Sequence, residues 1–160
     1  IADPDPSNAE ETPSAVFDQG WNQGGARFRR IEGAWWGAGS VWFTCTSGGD
    51  ANAGQVWRYT PRPEGRGHLA LVYESPSTTV LNHPDNLCVT PNGGLRLCGD
   101  GSGPQVVLFD LVCNTATDDE WAGATFSPDG QTLFVNSQGN GRGSPGWTVA
   151  IWGPWAEGGV

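Results

Sequence analysis

Two nine-residue stretches, "VTPNGGLRL" and "FSPDGQTLF", are the same device. Each places Pro-Asx-Gly between short apolar runs. Pro presets φ, Asn or Asp hydrogen-bonds its own backbone, and Gly tolerates positive φ, so the chain must reverse there as a hairpin. "WGAGSVWF" is a looser third copy. The turns recur at intervals of roughly 54 and 37 residues, the range of propeller blades rather than of a simple meander. The spacing therefore predicts an all-β chain of about three units, each a small antiparallel sheet.

The runs between the turns agree. In "QVWRYTP", Val56 and Arg58 fall on one face and Trp57 and Tyr59 on the other. "HLALVYES" is a further strand, "VVLFDLV" reads as a buried one, and "GWTVAIWGPW" closes the pattern. No stretch carries a sustained helical period. Residues 1–25 are polar, with abundant Pro and Gly, and read as an acidic lead or linker. Residues 26–160 carry the blade pattern. With no initiator Met, basic n-region or apolar h-region, the lead is not a signal peptide. It reads as a disordered lead or as a cut inside a longer chain.

In a propeller the first strand of each blade lines the central channel. An acid lies just before that strand in every unit: Glu32 in "RIEGAWW", Asp85 in "HPDNLCV" and Glu120 in "DEWAGATF". If the units are blades, the three carboxylates converge at one mouth. Like charges held that close repel unless a cation sits among them, and a hard cation such as Ca²⁺ takes oxygens from separate loops. The plainer alternative is that the acids serve turn formation, as Asp85 and Asn86 could alone.

Charge narrows the partners. The chain has a formal net charge of −9 and all eight of its basic residues are Arg. Such a field repels nucleic acid and anionic lipid, which bind by neutralising phosphate. There is no run of 18 apolar residues for a membrane helix. No Gly-x-Ser-x-Gly elbow occurs, and "GDGSGP" and "GNGRGSPG" lack the Lys-Ser/Thr ending of a phosphate-binding loop. A carboxylate pair for glycoside cleavage has no support beyond the acids themselves. His68 and His83 stand isolated, and His83 reads as a surface-loop residue although it lies two positions before Asp85.

Cys45, Cys88, Cys98 and Cys113 lack zinc-ligand spacing. Cys88 and Cys98 flank a hairpin turn and could face each other. A one-residue register change separates them and directly opposed disulfides are strained, so buried free thiols are expected. The nine Trp either fill blade cores or line a groove. Packing is the expectation for Trp35, Trp36, Trp42, Trp57, Trp147, Trp152 and Trp155.

The ordered motifs "RFRRIEGAWW", "GQVWRYTP", "LALVYESP", "HPDNLCVTPNGGLRLCGDGSG", "EWAGATFSPDGQTLFVNSQ" and "AIWGPW" resemble the C-terminal part of the PhoX-type alkaline phosphatases. These are secreted bacterial enzymes of six-bladed propeller fold. The resemblance spans about residues 26 to 157. It implies a partial propeller, Tat export to a secreted or periplasmic location, calcium and iron as cofactors, and a small phosphate ester as substrate. The family's Arg-x-Glu pair falls on Arg30, as a phosphate clamp, and Glu32, as a metal ligand. Its Pro-Asp-Asn acid falls on Asp85, and the acid before Ala-Gly-Ala-Thr-Phe-Ser falls on Glu120.

The chain departs from the family pattern at Gly99, where the family carries an acid. It is also shorter than six blades require. The resemblance therefore implies a fragment or shortened relative, missing upstream blades and inactive alone. The rival expectation is a non-catalytic propeller module for binding or scaffolding, which bound metal at the three acids would argue against.

Overall fold

The computed structural model describes residues 2–3, 15–99, 120–139, 143 and 145–155. The strand expected at 106–112 and Cys113 lie outside the described residues. The described chain is mostly β, with three antiparallel sheets of four, two and three strands, none closed on itself. The partial-propeller architecture of about three antiparallel units is thus the one found.

The first sheet orders β1 (Ile31–Gly37), β2 (Ser40–Cys45), β3 (Gln55–Pro61) and β4 (Gly67–Glu74). The second pairs β5 (Pro84–Val89) with β6 (Leu95–Gly99). The third orders β7 (Trp121–Phe126), β8 (Thr132–Ser137) and β9 (Trp147–Trp152). Strand β5 packs on β1 and β2 from one side and on β7 from the other, so the sheets stack in chain order with their first strands innermost.

The turns follow their chemistry. Gly130 N donates to Ser127 O (2.8 Å) and Gly93 N to Thr90 O (2.9 Å), with Gly130 and Gly93 at φ 71° and 81°. The looser copy is tighter than its sequence suggests. Gly37 pairs with Ser40 across a two-residue connection, Ala38 and Gly39, both at positive φ. That is the twist-matched hairpin turn of right-twisted strands.

The core lies between the second and third sheets. Cys88, Cys98, Trp121, Ala124, Leu133, Val135 and Trp155 form one buried cluster. Cys88 pairs with Arg96 and Cys98 with Asn86, so the two thiols lie diagonally on one face instead of directly opposite. They are free and buried, as is Cys45. Burial pushes the Cys88 thiol up to about 12 and Cys45 to about 11.

Two expectations need correction. Residues Ala15–Asn22 form a helix, α1, inside the lead read as loop. It is eight residues long and buries none, too short for its apolar residues to carry a sustained helical period. Its Phe17 and Trp21 stack on each other, 6.2 Å apart, and stay exposed. Packing also fails as a rule for the Trp residues. Trp42 and Trp155 are buried, but Trp36 is 62% and Trp152 73% exposed.

Trp36 belongs to an apolar face. The cross-strand rows Trp36–Val41–Tyr59–Leu69 and Ala34–Phe43–Trp57–Leu71 run the width of the first sheet on the side away from β5. Phe28 covers part of it, edge-on to Phe43 and Trp57.

Candidate functional site

The site begins with the contact between β1 and β5. A Cβ on Gly33 would lie 2.3 Å from the Asp85 carbonyl oxygen, so the two backbones touch where a side chain is forbidden. Thr44 ties the joint. Gly33 N donates to its hydroxyl (3.0 Å), and that hydroxyl donates to Asp85 O (2.8 Å). Thr46 donates to Pro84 O and to the Asp85 carboxylate, each at 3.0 Å. Glu32 and Asp85 are the second residues of β1 and β5, inside the strands rather than just ahead of them. Their separation is therefore set by backbone contact.

Glu120 immediately precedes β7, and its carbonyl accepts from Gln138 N (2.9 Å). All three acids line one open cleft of about 570 Å³. Beside Asn86 of β5, most of its remaining lining comes from the third sheet, including Asn136 and Ser137 of β8 and Trp147 and Thr148 of β9. Beneath the acids lies Cys98. Burial raises its thiol pKa, the Ala124 amide partly offsets this, and the Glu120 and Asp85 carboxylates add to the rise. One thiol thus senses both acids.

Arg30 does not line the cleft. It sits at φ 52°, its carbonyl held by Thr46 N (2.9 Å), and its guanidinium pairs with Glu32 at 2.8 Å. The pair is exposed, 54% and 36%, and such contacts contribute about 0–1 kcal/mol. His83 also lies off the cleft lining. Its ring meets Asn82 Oδ1 at 2.7 Å and its amide bonds Ala53 O, with φ at 47°.

The donor set suits calcium in kind, since hard cations take carboxylate and carbonyl oxygen. Its closure does not. Among the described residues no three His, Cys, Asp or Glu side chains are grouped closely enough to hold a metal ion. The three carboxylates share a cleft without forming a ligand shell of their own.

Sequence reasoning missed the third-sheet wall. Asn136, Ser137 and Trp147 are single residues in alternating strands, and only the pairing register of β8 with β7 and β9 brings them beside the acids.

The family model for alkaline phosphatase PhoX matches residues 3–141. The chain belongs to the PhoX alkaline phosphatase family. No curated protein and no solved structure matches it. A relationship to PhoX phosphatases thus joins a cleft where three sheets each contribute one acid at the start of the innermost strand. Among the described residues no helix is long and apolar enough to cross a membrane.

Proposed function

We propose that the chain is a phosphatase-like module whose cleft receives a small phosphate ester together with calcium and iron. The observation that carries this reading is the meeting of Glu32, Asp85 and Glu120, from three sheets, on one cleft in a PhoX family member. Under it the three acids supply part of a metal ligand shell, and further ligands come from outside the described residues. Arg30, two residues from Glu32 and already paired with it, turns to clamp phosphate with its planar guanidinium.

The open ligand set and the partly exposed apolar face of the first sheet support a module that is inactive alone and completed by further blades, 26–160 forming the blade region behind a 1–25 lead. The reading places the protein outside the cytoplasm, secreted or periplasmic, after Tat export.

Two measurements test it. Calorimetry should detect Ca²⁺ binding that the combined Glu32→Gln, Asp85→Asn and Glu120→Gln variant loses. Hydrolysis of a chromogenic phosphate monoester with added Ca²⁺ and iron should stay near background. Absence of carboxylate-dependent Ca²⁺ binding overturns the metal-site reading and favours a scaffold. Robust turnover overturns inactivity in isolation.

A further inference from the structure

The three inner strands share one irregularity. Pairing slips near the start of each: between Ile31 and Ala34 in β1, Pro84 and Asn86 in β5, and Ala122 and Thr125 in β7. In β1 the slip holds Gly33, on which the β5 main chain rests. In β7 it holds Gly123, which is exposed and at φ 60°. Among the described residues a Cβ there would meet only Asn136, a residue of its own sheet. The seat that takes β5 on the first sheet thus recurs, unfilled, on the third.

The outer faces suit that seat. On the third sheet the rows Thr125–Phe134–Ala150 and Ala122–Asn136–Thr148 lie opposite the side that carries Leu133 and Val135 into the core. Trp152, paired with Thr132 on the same outer face, is 73% exposed. On the first sheet Trp36, Leu69 and Leu71 stay exposed beside Phe28. No position in these rows, or in the two apolar rows of the first sheet, carries a charge. In a chain of net charge −9, such surfaces let two copies meet without setting acid against acid.

The cleft is open at the same place. Its lining runs from Glu32 on the first sheet round to Asn136 and Thr148, on the outer face of the third. A strand seated on Gly123 would wall it there.

We propose that a second copy of this chain supplies that strand. The first sheet of one copy stacks on the third sheet of the other, β1 resting on β7 as β5 rests on β1. A two-fold axis makes the contact twice. Contacts between unlike faces either close into a ring or grow into filaments. Closed rings of radially stacked sheets hold about four to eight of them. One chain's three sheets fall short of that range, two chains fall inside it and three chains exceed it. Closure brings the acids of both copies to one hub, so each cleft is completed by the partner. The inference rests on the reading of the chain as a module completed by further blades, and it names what completes it.

Sedimentation velocity tests this on the whole chain, without added metal or phosphate, in about 0.15 M salt to screen the net charge. Rising concentration should convert monomer to dimer and to nothing larger. Trp36→Asp and Trp152→Asp, one on each face, should each weaken the dimer about tenfold or more. Phe17→Asp, an exposed apolar position on α1, should leave it unchanged. All three positions are exposed, so circular dichroism should match the parent, which separates a lost contact from a lost fold.

A chain still monomeric at about 100 μM overturns the proposal. A dimer disrupted by only one of the two Trp variants overturns it too, because like faces then meet. Species that keep growing with concentration overturn it as well, because the ring then fails to close. Each of these results leaves the phosphatase reading standing. Absence of carboxylate-dependent Ca²⁺ binding sinks the metal-site reading and leaves the dimer untouched.

Discussion

The inner strands of this molecule end in two very different ways. At the turn end of β7 and β8, the polar groups of the hairpin bond one another. Ser127 Oγ donates to Asp129, which also accepts from Gln131 N (3.0 Å), while Thr132 N bonds the Ser127 hydroxyl (3.0 Å). Trp155 Nε1 donates to Gln131 O (3.0 Å), and Asn92 from the neighbouring hairpin donates to Trp155 O (2.6 Å). At the other end of the same strands sit three carboxylates around a cleft and two buried groups with no partner among the described residues. One end is closed on itself and the other presents unspent bonding capacity. The gathering of three acids marks that end as the place to look for chemistry, although unpaired buried nitrogens also occur away from the cleft, at Arg58 and Arg96.

The sharpest way to break this contrast is to disturb the joint that holds the acid end together. Gly33→Ala drives a methyl group into the Asp85 carbonyl and should cost about 1–3 kcal/mol, read by urea denaturation. It should also weaken Ca²⁺ binding, because Glu32 and Asp85 must part.

A smaller loss is expected at the turn end. Trp155→Phe removes the bond to Gln131 O and part of the packing on Phe126, for about 1–2 kcal/mol in the same measurement. Unlike Gly33→Ala, it should leave Ca²⁺ affinity untouched.

The smallest effect is electrostatic. The Ser127 hydroxyl and then the Gln131 amide hold the Asp129 carboxyl below its ordinary 3.8. A depressed folded value stabilises the protein above the unfolded pKa, and the contribution fades as pH falls through the folded one. Asp129→Asn should therefore lower the melting temperature slightly at neutral pH, and its gap to the parent should vanish in the acid limb below pH 3.8.

The turn end was legible in the sequence because local chemistry writes it. Pro-Asx-Gly dictates a reversal whatever surrounds it, and the β3 alternation put Val56 and Tyr59 on opposite faces, of which the structure buries the first and exposes the second. The free state of Cys88 and Cys98 also followed from register, since a diagonal pair is not a bonded one. The acid end was legible only in part. Repetition at strand starts singled out Glu32, Asp85 and Glu120, and all three line the cleft. The opposing wall was not, because Ser137 and Trp147 meet only through pairing between strands separated in the chain. Helix α1 escaped for the opposite reason, as it buries no residue and its eight residues are too few to carry a sustained period.

The Gly33 contact has a consequence for how such a cleft can vary. Where two main chains touch, the gap yields only to a change at Gly33 itself, and then abruptly, so Glu32 and Asp85 are held to a fixed gauge. The third sheet meets the second through side chains, with Trp121 and Ala124 against Cys88 and Cys98, and these can be resized one methyl group at a time. Adjustment of the cleft to a larger or smaller guest is therefore available on the Glu120 side alone: one jaw is anvil, the other is screw.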